Sequence, residues 1–286
     1  MTIPGFDLYQ PDTLATSVVF ASPHSGRDYS PELMRNSVLD SRTIRSSEDA
    51  FVDRLFSAAP QFGAPLLAAR VPRAFVDLNR GPDEMDPAVV ENIRRPSHNP
   101  RVASGLGVIP RVVANGRSIY SGKLSLDEAR QRLETHWHPY HDTLHTLLKS
   151  AHGTFGETIL IDCHSMPHEA VDNIVRSGER RPDVVLGDRF GSSASQAVVA
   201  RIERALTKAG LIVARNTPFA GAFVTQHYGR PSRGQHAVQL EIDRSLYMDE
   251  KRIEPRADFS EFQSLISSVV AEICDIGRAA LPLAAE

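Results

Sequence analysis

Short apolar runs rich in β-branched residues alternate along the chain with longer stretches of helical periodicity. The runs at Ser17–Ser22, Ala74–Leu78, Thr158–Asp162, Val184–Leu186, Leu211–Ala214 and Ala237–Ile242 are predicted strands, several of them apolar enough to be buried on both faces. Helices are predicted near 47–58, 125–150, 192–209 and 259–280. The second opens on Ser125 and Glu128 in capping-box spacing, and the third follows Gly191-Ser192-Ser193. Alternation of this kind predicts an α/β fold, a three-layer α/β/α sandwich about a mixed, mostly parallel sheet. The segment 81–122 breaks the pattern, being rich in Pro, Gly, Asn and Arg. A long irregular insertion in a compact domain is usually a lid or binding loop. With no internal repeat and no long linker, residues 1–286 are expected to form one domain carrying that insertion.

Composition narrows the function. Across 286 residues, 32 Lys and Arg face 35 Asp and Glu, a formal net charge of −3, which lacks the cationic surplus that holds a protein on nucleic acid. Nowhere do about 18 uncharged apolar residues run together, and Met1–Asp7 has neither the basic segment nor the apolar stretch of a signal peptide, so a cytoplasmic protein without membrane association is expected. Cys163 and Cys274 form no CxxC pair and cannot make a disulfide framework. The eleven histidines are the richer resource.

In open α/β sheets ligands bind beyond the carboxyl ends of the strands. The predicted strand ends are polar: Pro23-His24-Ser25-Gly26, Asp77-Leu78-Asn79-Arg80, Asp162-Cys163-His164-Ser165, and Glu241 with Asp243. Two histidines on different strand ends with carboxylates nearby are the donors of a catalytic zinc site, although either could be a structural histidine with its bonds satisfied. An acidic partner is available in Glu48 or Asp49, where an acidic residue could equally serve a helix start. Arg80 with Asn79 can grip a carboxylate. Glu241, embedded in an apolar strand, suits a base with a tuned pKa, or else an edge strand facing solvent. His138, His141 and His145 share one helix face, but Asp142 stands where the zincin motif needs Glu, so a solvated histidine-rich face is the competing account.

Taken as ordered blocks, Ser22-Pro23-His24-Ser25-Gly26, Glu48–Leu55, Val76-Asp77-Leu78-Asn79-Arg80, Trp137–His141, Asp162–Pro167, Leu186–Gly191, Gly221–Pro231 and Gln239–Glu250 resemble the N-formylglutamate amidohydrolases, or N-formylglutamate deformylases, over roughly residues 16 to 250. That family looks related to zinc carboxypeptidases and aspartoacylase-like enzymes, which implies a zinc-carboxypeptidase-like (phosphorylase/hydrolase-like) fold. The resemblance implies zinc, or another divalent first-row ion, on His24, Asp49 and His164, with Asp49 favoured over Glu48 by the block alignment. It further implies Glu241 as base and Asn79 and Arg80 as the carboxylate grip. Position 27, three after His24, is Arg where a carboxypeptidase has Glu. A second carboxylate is expected at Arg189, at the head of the helix after Gly187, and His227 is expected to contact substrate or stabilise the oxyanion. The implied substrate is a small dicarboxylate N-acyl amino acid, N-formyl-L-glutamate of histidine degradation. Another N-acyl amino acid, or a non-catalytic binder of acidic metabolites, would also accommodate these residues.

Overall fold

The computed structural model describes residues 5–93, 99–175 and 180–278. Its main sheet is seven-stranded: β1 (Phe6–Tyr9), β2 (Val18–Ser22), β3 (Leu66–Ala69), β4 (Thr158–Met166), β5 (Val184–Gly187), β6 (Val213–Arg215) and β7 (Gln235–Asp243), in spatial order β1-β3-β2-β4-β7-β5-β6. Strands β3, β2, β4 and β7 run parallel, β1 is antiparallel to β3 and β5 to β7, and β6 runs parallel to β5. The helices are α1 (Pro31–Asn36), α2 (Val52–Leu55), α3 (Pro100–Ala103), α4 (Leu126–Arg132), α5 (His138–Phe155), α6 (Gln196–Lys208), α7 (Phe223–Tyr228) and α8 (Phe259–Ile276).

Alternation along the central strands divides the apolar residues between two cores. Val18 and Phe20 of β2, Ile159 and Ile161 of β4 and Val238, Leu240 and Ile242 of β7 pack with α6 and α8. Val19, Ala21, Leu160 and Ala237 face the other way, onto Tyr140, Leu144 and Leu148 of α5. A sheet between two helical layers is the expected sandwich. The insertion 81–122 belongs to the second core, to which it contributes fully buried Val108, Ile109 and Ile119. No helix among the described residues is long and apolar enough to cross a membrane.

Several local expectations need correction. The run Ala74–Leu78 is buried but is no strand: it turns, with Phe75 N bonded to Pro72 O and Asp77 N reaching Val108 O at 2.8 Å in the insertion. Short apolar runs look alike whether they join a sheet or fill a core. Strands β1 and β3 went unpredicted, β3 because Leu66-Leu67-Ala68-Ala69 lacks β-branched residues. Of the helix expected near 47–58 only the four-residue α2 forms, preceded by Phe51 with a left-handed φ of 67° and flanked by 3-10 turns at Thr43–Ser47 and Ala59–Phe62. The helix near 125–150 runs to Phe155 through a π-turn at Leu133–Trp137, and α6 begins at Gln196, where Ser195 Oγ accepts from Val198 N. Strand β4 extends to Met166, so His164 lies within it and pairs in register with Glu241 of β7.

Candidate active site

Three chain segments converge beyond β2 and β4. His24 follows β2 in a turn that passes so close to the Arg70–Val71 backbone that a Cβ on Gly26 would lie 2.0 Å from Val71 O; only glycine fits there. Asp49 is tied to that turn by its own N–H, which donates to His24 O at 3.0 Å. His164 comes from β4. One ligand atom each from His24, Asp49 and His164 lie within 4.8 Å of one another, and all three residues are buried.

Outer partners set the direction of both imidazoles. His24 Nε2–H donates to Asp77 Oδ1 at 2.7 Å, and His164 Nε2–H faces Asp162 Oδ2 at 3.0 Å. Both Nδ1 atoms therefore turn inward. His164 Nδ1 lies 3.0 Å and His24 Nδ1 3.5 Å from Asp49 Oδ2, and His24 Nδ1 is buried with no hydrogen-bond partner among the described residues. A bare buried nitrogen, a second imidazole and a carboxylate, each backed by an outer carboxylate or cation, fit a divalent ion of the zinc type. Burial would raise the Asp49 carboxyl, but the hydrogen bond from His164 and the neighbouring His24 and Arg244 hold it well below the usual carboxylate range. Burial likewise opposes charge on His164, yet Asp162 and Asp49 draw its pKa well above that of a free imidazole, so a bound ion would replace a proton there. Arg244 Nη2 donates to Asp49 Oδ1 at 2.9 Å and Nε to Ser165 Oγ at 3.1 Å. Glu48 is held elsewhere, by Arg45 at 2.9 and 3.0 Å and by the Tyr29 hydroxyl at 3.1 Å. The structure thus brings Asp49, and not Glu48, to the histidines.

These residues floor a cavity of about 370 Å³. Glu241 stands in its wall, and Gln239 Nε2, two residues earlier on the same strand face, donates to Glu241 Oε1 at 2.9 Å. Burial pushes the Glu241 carboxyl up to about 7 against the pull of His164. Asn79 is buried behind His164: its Nδ2 donates to Asp162 Oδ2 at 3.3 Å and its Oδ1 accepts from Val224 N at 2.8 Å. Arg80, also buried, donates Nε to Leu106 O at 2.9 Å and Nη1 to Asn79 O at 3.0 Å, while Nη2 has no partner among the described residues. Arg73, Arg101 and Arg244 complete a cationic lining.

Arg189 and His227 line an adjoining cavity of about 530 Å³ that shares Arg80 and Arg101 with the first. Arg189 stands in a left-handed turn (φ 52°), seven residues before α6, so the expected helix N-terminus is absent there. His227 is stacked on Phe223 with ring centres 4.9 Å apart, and burial lowers its pKa. His138, His141 and His145 do not converge: His141 is buried against Trp137, bonded to Leu78 O and Tyr228 OH at 2.9 Å each, and His145 is exposed. Sequence reasoning missed Arg73, Arg101, Arg244 and Gln239 as cavity residues. Arg244 could have been found by the rule that pointed to His24, since it directly follows β7; Arg101, inside the insertion, had no such pointer.

Comparison with known proteins agrees with the blocks quoted above. The model of the N-formylglutamate amidohydrolase family matches residues 16–248. The N-formylglutamate deformylase of Pseudomonas aeruginosa is 31% identical over 263 residues, 89% of this chain and 92% of its own, and that of Pseudomonas putida 30% over 240 residues, 82% of each. The crystal structure of N-formylglutamate amidohydrolase from Ralstonia eutropha JMP134 superposes with a TM-score of 0.89 at 33% identity, covering 96% of this chain and 99% of that one. With the family model spanning most of the sequence and relatives above 30% identity along nearly its full length, this chain belongs to the N-formylglutamate amidohydrolase family.

Proposed function

We propose that the protein hydrolyses N-formyl-L-glutamate to L-glutamate and formate, using a divalent metal, zinc by preference, held by His24, Asp49 and His164. The observation that carries this reading is the convergence of those three buried ligand atoms, within 4.8 Å, at the floor of a cavity lined by arginines. A substrate with two carboxylates and a small reacting group needs both halves of that arrangement. Family membership supports the same substrate, and the proposed role is in histidine degradation in the cytoplasm.

When bound, the ion supplies Lewis acidity and a water whose pKa falls to about 7. The rest is done by side chains. Glu241, steadied through Oε1 by Gln239, takes a proton from the attacking water as its oxygen bonds to the formyl carbon. The same carboxyl returns that proton to the amide nitrogen as the C–N bond breaks, releasing formate and the free amine. Arg80, with Nη2 left for the cavity and its other nitrogens fixed on backbone carbonyls, takes the α-carboxylate, and Asn79 holds its place behind His164. Arg189 and His227 meet a substrate only where it extends past Arg80 and Arg101 into the adjoining cavity.

The test is formate release from N-formyl-L-glutamate before and after chelation and after zinc is restored, with N-acetyl-L-glutamate and N-formyl-L-aspartate as comparators. Loss on chelation, recovery with zinc and preference for the formyl glutamate are expected. Turnover untouched by thorough chelation would overturn the metal; a preference for another acyl group or chain length would overturn the substrate. Metal-free protein that gains no hydrolysis with zinc would point to a binder of acidic metabolites.

A further inference from the structure

We propose that Arg101 receives the side-chain carboxylate of the substrate and so makes the cavity selective for acyl amino acids that carry a second anionic group. The inference rests on the hydrolase reading above and extends it to a residue that the sequence did not mark.

Four guanidinium groups line the cavity, but three are already engaged. Arg73 Nε is held by Asp77 Oδ2 at 3.0 Å, where it helps fix the carboxylate behind His24. Arg244 is bonded to Asp49 and Ser165. Arg80 has two of its nitrogens on backbone carbonyls. Arg101 alone has no hydrogen bond or ion pair from its side chain to any described residue, and it is exposed at the cavity rim on α3. Two acids, Asp83 and Glu84, line the adjoining cavity with it, and neither is ion-paired to it. Glu84, which lines the adjoining cavity together with Arg101, accepts from Gly81 N at 2.9 Å through Oε1 and from Asn99 Nδ2 at 2.7 Å through Oε2. Arg101 also stands near enough to Arg80 that its like charge, with that of Arg73, adds to the larger effect of burial in lowering the Arg80 pKa against the pull of Asp77 and Glu84. Two cations at one cavity, neither of them in a direct ion pair with a described acid, are a receptor for two negative charges.

The connectivity of the substrate decides which carboxylate goes where. The α-carboxylate hangs on the carbon that bears the reacting nitrogen, so it must stay close to the floor, where Arg80 adjoins Asn79 and His164. The side-chain carboxylate lies two methylenes further out, toward the rim, where the insertion presents Arg101. Arg189, the other arginine considered for this role, lines only the adjoining cavity.

The experiment compares N-formyl-L-glutamate with its neutral isostere N-formyl-L-glutamine, on the metal-loaded wild type and on Arg101→Gln. For the glutamate substrate kcat/KM is expected to fall about 10- to 100-fold in the variant, mainly through KM, with the glutamine substrate little changed, so that discrimination collapses. An unchanged discrimination ratio overturns the proposal, as does a collapse produced by Arg189→Gln instead. A second measurement does not depend on turnover: glutarate should raise the melting temperature of the wild type more than butyrate does, and lose that advantage in Arg101→Gln. Equal stabilisation of both proteins by glutarate overturns the assignment even if neither substrate is hydrolysed, whereas failure of hydrolysis alone counts against the proposed reaction.

Discussion

The floor and the rim of the cavity are built on opposite principles. On the floor every polar side chain is held at least once from behind: His24 by Asp77, Asp77 by Arg73, His164 by Asp162, Asp49 by Arg244 and Glu241 by Gln239. Those groups sit on or beside the carboxyl-terminal halves of β2, β4 and β7, strands buried almost throughout. At the rim, the insertion contributes Arg101, whose side chain has no partner among the described residues, and an Ala114-Asn115-Gly116 turn in which Asn115 takes a φ of 59°. The insertion's apolar residues are nevertheless rooted in the core, so its polar tips are presented on a fixed support. On the proposed reading the contrast divides the labour: the sheet holds the groups that do the chemistry, and the insertion selects what reaches them.

If that division holds, floor substitutions should act on kcat or on metal content and rim substitutions on KM. Glu241→Gln gives the largest expected effect, a loss of about 10²- to 10⁴-fold in kcat with metal content unchanged, since the amide keeps the shape but cannot move a proton. Kinetics paired with metal analysis decide it, and loss of metal in that variant would break the split between ligand and base. Asp77→Asn comes next. An amide oriented to accept from His24 Nε2 is a weaker partner than a carboxylate, and one oriented the other way would force the imidazole into the wrong tautomer. Metal affinity or activity should fall about 10- to 100-fold, read by a competition titration against a chelator. Arg80→Ala sharpens the comparison from between the two regions. Its buried guanidinium is the innermost of the proposed substrate grips, so KM should rise at least about tenfold with a smaller change in kcat, and an unchanged KM would remove Arg80 from substrate binding.

The floor was largely readable from sequence because its parts sit at strand ends, and strands buried on both faces announce themselves as runs such as Val18-Val19-Phe20 and Ile159-Leu160-Ile161. The order of those strands in space, and the register that sets His164 beside Glu241, depend on partners far apart in the chain that no local pattern encodes. Asp77 shows the limit within a single residue. Its segment reads as a strand leading to Asn79 and Arg80, yet it is a turn anchored on Val108, and that turn is what aims the carboxylate at His24. The rim was opaque for a different reason. Segment 81–122 has no periodicity at its surface, and an exposed arginine in such a segment looks the same in sequence whether it faces bulk water or a cavity.

The smallest expected effect concerns the joint between the regions. His141 of α5 is buried under Trp137, donates Nε2–H to Leu78 O and accepts the Tyr228 hydroxyl on Nδ1, so it ties the chain just before Asn79 to α5 and α7. Burial, partly offset by the bond to Leu78, lowers its pKa from 6.5 to about 3. A base whose folded pKa is depressed is neutral in the native state and protonates first in the unfolded state. Its contribution is therefore complete above about pH 6.5 and is lost as pH falls from there toward 3. At pH 5 the loss is about 2 kcal/mol, since each unit of pKa difference is worth about 1.4 kcal/mol. Chemical denaturation at pH 7 and pH 5 checks this against His141→Gln, whose amide can donate and accept in the same two directions without titrating. The variant should be less stable than the wild type at pH 7 yet lose about 2 kcal/mol less on acidification. Equal losses in the two proteins would mean that His141 is already free to protonate in the native state, and that the joint between floor and helix layer is looser than its hydrogen bonds imply.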